Sequence, residues 1–384
     1  MIYFIIAILF LVLSCRFDTG PQKGQGKFFF FLEAVILILL FGLRYRVGAD
    51  SLNYEEKWDL YPSLSDLADL SAFAYLENQP LYYILVGIVK EINDSFVTFQ
   101  IVHALIINTV FFITIKRYSR HKFMAVFLYF VFMSLVSNTE ILRESLAVSA
   151  FMLSIPYYLN KKWIKYYLFA FLAIGFHISA LICLIYPLVS GFLEKQWKTS
   201  QLLVVFLSLF VFSVAFRSLF SQLPIDLLNE TNQEKLIMYS SGAGSNNIWG
   251  YVGFVYNCSV YLLIAYIMRK ANFNSRLFNM AINLKFLFSV SSLILPIMAN
   301  RWGGYFDLLF YIALAELICT YKSLGKSLKP LVGIVVFILL FNQLNSMRSV
   351  DTWNVDNERL YKRYMPYHSV FDKQKESARE KLLK

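Results

Sequence analysis

Residues 28–50 read FFFFLEAVILILLFGLRYRVGAD, a long apolar run that breaks off at Arg44 and Arg46, with Gly48 and Asp50 close behind. A guanidinium at the border of hydrocarbon is costly and persists where something compensates it. The pattern recurs twice. Arg143 opens the apolar segment ILRESLAVSA, and Arg301 lies in ANRWGGYFD between two more. These stretches predict membrane helices and, at their borders, arginines directed at an anionic ligand, read here as a lipid diphosphate.

Composition agrees. Hydrophobic residues make up 58% of the 384 positions and charged residues only 16%, less than a soluble domain of this size carries. Apolar stretches recur at roughly 2–14, 28–43, 97–115, 123–137, 143–158, 164–176, 177–191, 201–219, 249–268, 280–298, 304–321 and 328–343. They predict an all-α, polytopic integral membrane protein of about 12–13 helices. Several fall short of the ~20 residues of a perpendicular span, so short or re-entrant helices are expected among them. Residues 1–343 then form a single transmembrane domain with two sizeable loops, 44–80 and 220–248, and 344–384 form a polar C-terminal tail. The tail's stretch NERLYKRYMPYHSVF predicts a packed or surface-lying segment, and the charge-rich last dozen residues predict disorder.

The net charge of +11 comes from short basic loops and the tail, so it reports orientation and not nucleic-acid binding. The four cysteines show neither metal-ligand spacing nor a disulfide framework. Segment 2–14 lacks a basic n-region and a cleavage site and reads as a first, short helix. Basic clusters at 116–122, 161–165, 195–198, 269–276 and 322–329 follow one another at two-crossing intervals, which places them in the cytoplasm. The turns near 138–143, 176–178, 217–248 and 299–303, the acidic loop 44–80 and the tail then face outward. Residues 81–92, LYYILVGIVKEI, disturb this count if they span, and read best as a re-entrant or interfacial helix started by Pro80.

With that orientation the unusual polar residues gather on one side: Arg44, Arg46, Asp50, Glu140, Arg143, Glu144, His177 and Arg301. Arginine suits phosphate because its planar fork donates in parallel and keeps its proton. Arg44, Arg46, Arg143 and Arg301 are therefore the candidate diphosphate ligands. The competing readings are interfacial anchors for Arg44 and Arg46 and an internal ion pair for Arg143. His177 in AIGFHISAL is a candidate general base or phosphate donor, against a packed neutral ring. The loop 220–248, with SSGAGS, reads as a lid over a glycan groove or as a connector. Trp249, Tyr251, Trp302 and Tyr305 fit an aromatic belt at the interface, with sugar stacking as the second reading. No phosphate loop, dinucleotide fingerprint or metal motif is present, so no cofactor is expected.

The order RYRVGAD, NQPLYYIL, ILRESLAVS, FHISALI and a basic-aromatic stretch ending in PYHS resembles the EpsG family of bacterial exopolysaccharide proteins, relatives of the Wzy-type polymerases. The resemblance covers about 40 to 370. It implies a membrane-embedded glycosyltransferase in the bacterial cytoplasmic membrane, joining repeat units carried on undecaprenyl diphosphate. Its implied partners are that lipid-linked oligosaccharide, the bilayer and a chain-length regulator, with no nucleic acid. The family's motifs fall on Arg44 and Arg46 with Gly48 and Asp50, on Arg143 and on His177, and Tyr54 fits its tyrosine. The expected chemistry is attack of an acceptor hydroxyl on the anomeric carbon, with Glu140 or His177, and less directly Asp50, taking the proton. A lipid-linked glycan ligase or single-addition transferase, a flippase or exporter, and an acyltransferase are the alternatives.

Overall fold

The structure, a computed structural model, describes residues 1–22, 25–68, 79–220, 248–292, 296–351, 354 and 356–383. The SSGAGS stretch read as a lid, and Asp69 and Glu77 of the acidic loop, lie outside the described residues. Among those described the chain is helical, and its extended pairings are two isolated bridges, Arg44 with Ser369 and Val350 with Arg359.

By internal contacts the chain divides into two compact units. The first holds Met1–Leu184, Leu314–Cys319 and Leu340–Lys384, and the second Ile185–Ala313 and Thr320–Leu339. The first unit begins with α1 (Ile2–Ser14), α2 (Lys27–Gly42), α3 (Ala49–Glu56), α4 (Pro80–Ile92) and α5 (Phe96–Tyr118). It continues with α6 (Lys122–Thr139), α7 (Leu142–Leu159) and α8 (Trp163–Phe176). Then come α9 (Ile182–Leu193), α10 (Thr199–Phe220), α11 (Ile248–Lys270), α12 (Arg276–Ser291), α13 (Pro296–Gly304), α14 (Asp307–Cys319) and α15 (Lys329–Arg348).

Among the described residues four helices are long and apolar enough to cross a membrane: Ile2–Thr19, Phe96–Tyr118, Lys122–Thr139 and Lys329–Arg348. A fifth crossing results if α13 and α14, bent by 64°, count as one. The protein is thus an all-α, multi-pass integral membrane protein, consistent with a bacterial inner membrane. At 1.5 Å per residue α5 is about 35 Å long, enough for the ~30 Å hydrocarbon core.

In the first unit α7 packs along α8, α2 along α5, α5 along α7, and α1 along α6. Lipid tails give little hydrophobic reward for helix association, so polar contacts matter more. A buried network supplies one. Asn108 Nδ2 donates to Asn138 Oδ1 (3.1 Å), and the Tyr129 hydroxyl donates to Asn108 Oδ1 (2.9 Å). Asn138 also donates to the Ser134 carbonyl (2.8 Å), inside the stretch Phe130–Ser134 where α6 widens to a π-helix. Asn138→Leu should remove one partner each from Asn108 Nδ2 and the Tyr129 oxygen, leaving them the bonds to the Ala104 carbonyl (2.8 Å) and to Asn108 Oδ1. The expected cost is about 1–2 kcal/mol, measured by thermal unfolding in detergent.

The segment 81–92 does form a helix, α4, with Pro80 at its first turn. Its 13 residues rise only about 20 Å. Both of its ends meet the same stretch of the preceding loop. Tyr82 packs on Tyr54 and Tyr61, and Asp94, just past the other end, accepts the Trp58 indole N–H (2.7 Å). A helix held this way lies along the loop.

Two expectations need correction. The run 280–298 is not one helix: α12 ends at Ser291 and a new helix starts at Pro296, whose missing N–H suits a first turn. Arg301 consequently lies within helix α13 and not in a turn. The last dozen residues are ordered up to Leu383. Ser377–Glu380 make a helical turn, and Arg379 is 1% exposed.

Candidate functional site

The arginine loop between α2 and α3 is shaped by the far end of the chain. Tyr45 N–H donates to the His368 carbonyl (2.8 Å), Val370 N–H to Leu43 (2.9 Å), and Gly48 N–H to Arg363 (3.0 Å). Arg379 donates to the carbonyls of Lys362 (3.0 Å), Arg46 (3.3 Å) and Pro366. The loop and the tail therefore lie on one side of the membrane. Gly48 has φ 94°, and a Cβ there would stand 2.6 Å from Thr139 Cβ at the end of α6. Only glycine lets the loop press this close.

Arg44 is 1% exposed and gives its Nη atoms to the Phe41 carbonyl and to Ser51 Oγ (2.6 Å). Burial pulls its guanidinium down to about 10. Arg46 makes a paired contact with Glu380, Nε to Oε1 at 2.6 Å and Nη2 to Oε2 at 2.7 Å, and reaches Glu56 at 2.9 Å. Burial works against its charge, but the Glu380 and Glu56 carboxylates outweigh it and hold Arg46 above its ordinary value. Both side chains thus brace the loop.

Glu140 accepts the N–H groups of Ala49 (3.1 Å) and Asp50 (3.2 Å), one on each oxygen, at the first turn of α3. A carboxylate there complements the helix dipole. Arg363 stands 3.6 Å from the same carboxylate and is locked to Asp351, with Nε to Oδ2 at 2.5 Å. Asp50 itself is exposed at the start of α3.

Arg143 differs. It is half-buried in the first turn of α7, whose start is fixed by His103 Nε2 against the Leu142 carbonyl (3.0 Å). Its guanidinium carbon lies 5.6 Å from the Tyr54 ring centroid and 6.0 Å from that of Tyr82. Tyr61 and Tyr83 close the cradle, with ring centroids 5.9 Å apart. Among the described residues Arg143 has no carboxylate within ion-pair reach. The Tyr82 hydroxyl is buried without a well-placed hydrogen-bond partner among them. Burial pushes the Tyr54 phenol up to about 12, so it stays a hydrogen-bond donor at neutral pH.

His177 follows α8 and caps the short turn Ile178–Leu181. Its Nδ1 accepts the Ser179 N–H (3.2 Å) and lies 2.6 Å from Ser179 Oγ. A neutral ring accepting at Nδ1 carries its proton on Nε2 and is a donor there. Two residues earlier, Gly175 abuts Leu81 of α4, next to Tyr82. His177 therefore lies at the same end of the unit as the tyrosine cradle.

Arg301, Trp302 and Tyr305 belong to the second unit. Arg301 and Trp302 are half-buried on α13, and Tyr305 is fully buried. Beside them Lys285 of α12 pairs with Asp307 at the start of α14. Trp249 and Tyr251 lie on α11.

Sequence reasoning missed Tyr82, Tyr61 and Tyr83 around Arg143, the pairs of Arg363 with Asp351 and of Arg46 with Glu380, and Arg379. Tyr82 and Tyr83 stand in the NQPLYYIL motif and Arg363 lies just before PYHS, so the motifs were visible while their partners were not.

No curated protein and no solved structure matches the chain. A model of the EpsG family matches residues 27–369, nearly the whole chain, and the protein belongs to that family.

Proposed function

We propose that this EpsG-family protein polymerises lipid-linked oligosaccharide repeat units on the outer face of the cytoplasmic membrane. The growing glycan on undecaprenyl diphosphate is the donor, and a hydroxyl of an incoming lipid-linked repeat unit is the acceptor. The acceptor oxygen bonds to the anomeric carbon as the bond from that carbon to the diphosphate oxygen breaks. The electron pair leaves with the diphosphate, and the acceptor proton passes to a nearby base. Direct displacement inverts the anomeric centre.

One observation carries this reading: a half-buried arginine with no carboxylate partner among the described residues, hydrogen-bonded to Tyr54 and standing over the Tyr54 and Tyr82 rings, beside a buried Tyr82 hydroxyl that lacks a well-placed partner there. Such a group is an anion site in waiting, since a buried donor lacking a partner is costly. In the proposed division of labour Arg143 receives the diphosphate, with the Tyr54 and Tyr82 hydroxyls and His177 Nε2–H as further donors. Arg44 and Arg46 hold the loop on which Tyr54 rides, and Glu140 positions α3. Asp50, exposed beside that loop, is the proposed proton acceptor. Its demand is modest, because a glycosyl diphosphate is already activated and leaving-group stabilisation supplies most of the rate.

The test uses purified protein and a defined undecaprenyl-diphosphate-linked repeat unit. A ladder of lengthening glycans, with one undecaprenyl diphosphate released per bond, is the expected product. A single addition would point to a ligase. Movement of unaltered substrate across vesicles would point to a flippase.

A further inference from the structure

The opposite end of the first unit carries a second cavity, of about 290 Å³, between the last turns of α5 and α7 and the start of α8. Arg117 and Lys162 stand on its lining, and among the described residues no carboxylate does. Tyr157 stacks on Phe169 (centroids 5.5 Å apart, 14° between planes), and Lys165 Nζ lies 5.7 Å from the Tyr157 ring. The Tyr118 hydroxyl, also on the lining, is buried without a hydrogen-bond partner among the described residues.

The lining is graded along the helix axes. Ile113 lies one turn below Arg117 on α5, and Leu153 lies two turns below Asn160 at the end of α7. From Leu153 to Asn160 the rise is about 10 Å, enough to pass from hydrocarbon into the headgroup layer. Ile113 is 49% exposed, so the apolar half opens sideways onto the lipid-facing surface. The basic loops at this end belong to the cytoplasmic leaflet.

We propose that this cavity binds the headgroup of an anionic phospholipid from the inner leaflet. Its phosphate meets Arg117, Lys162 and the Tyr118 hydroxyl, and an acyl chain descends past Ile113 and Leu153. Basic pockets between membrane helices on the cytoplasmic side suit such headgroups. A soluble phosphate uses the polar half but gains nothing from the apolar wall, which decides for the lipid.

The test is titration of the purified full-length protein in neutral detergent with phosphatidylglycerol, followed by native mass spectrometry. Arg117→Gln/Lys162→Gln should weaken phosphatidylglycerol binding by about thirty-fold, at roughly five-fold per surface charge. Tyr118→Phe should weaken it by a few-fold, and phosphatidylcholine should bind poorly to all forms. Arg269→Gln/Lys270→Gln removes two cations from the cluster at the end of α11 and should leave binding intact. Unchanged binding in the first double variant overturns the proposal. So does an equal loss in the second, which means diffuse surface attraction, or displacement of the lipid by millimolar inorganic phosphate, which means a soluble anion site.

Discussion

Arg143→Lys should reach the membrane in normal amounts, unfold at nearly the wild-type temperature and lose about a hundred-fold or more of its polymerising rate. The half-buried side chain makes no ion pair among the described residues, so little of the fold rests on it. What changes is the shape of the charge. A guanidinium can stand over the rings of Tyr54 and Tyr82 and still offer two parallel N–H groups to a phosphate. An ammonium is a point charge that cannot do both. Removing one well-placed donor from a developing oxyanion costs about 10²–10³ in rate. Single-turnover transfer to a defined lipid-linked acceptor measures this loss. Full activity in the lysine variant would reduce Arg143 to a simple charge.

Gly48→Ala should be strongly destabilising. Its φ of 94° and the 2.6 Å approach of a Cβ to Thr139 are separate penalties. Each is worth about 1–3 kcal/mol, so a loss of ~2–6 kcal/mol is expected. Relief requires the loop to lift from Thr139 and Glu140. That breaks the bonds from Ala49 and Asp50 to Glu140 and from Gly48 to Arg363, and carries Tyr54 away from Arg143. Thermal unfolding and limited proteolysis of the loop report the first effect, and polymer yield in cells the second. A Gly48→Ala protein with an unaltered melting curve would mean the loop is not held as described.

The helices were legible because apolar runs of helix length are a strong signal, and α1, α2, α5, α7 and α8 lie where the runs predict. The end of α12 at Ser291 was not, since hydropathy continues through Ile294 and only Pro296 marks a restart. The RYRVGAD stretch announced an unusual site but not the distinct duties of its arginines. Arg46 meets Glu380, 334 positions away, and no local pattern encodes that pairing. The tail misled for the same reason: charge-rich composition predicts disorder unless partners exist, and here Arg379 finds three backbone carbonyls across the loop and the tail. Tyr82 was quoted within a motif, yet its place under Arg143 depends on α4 lying along the loop, which follows from packing.

Whether Arg143 receives the leaving group is tested most directly by determining the structure of the protein with undecaprenyl diphosphate bound. A phosphate oxygen within about 3 Å of the Arg143 guanidinium, between the Tyr54 and Tyr82 rings, is the predicted arrangement. A diphosphate seated elsewhere, with the tyrosine cradle empty, would contradict it.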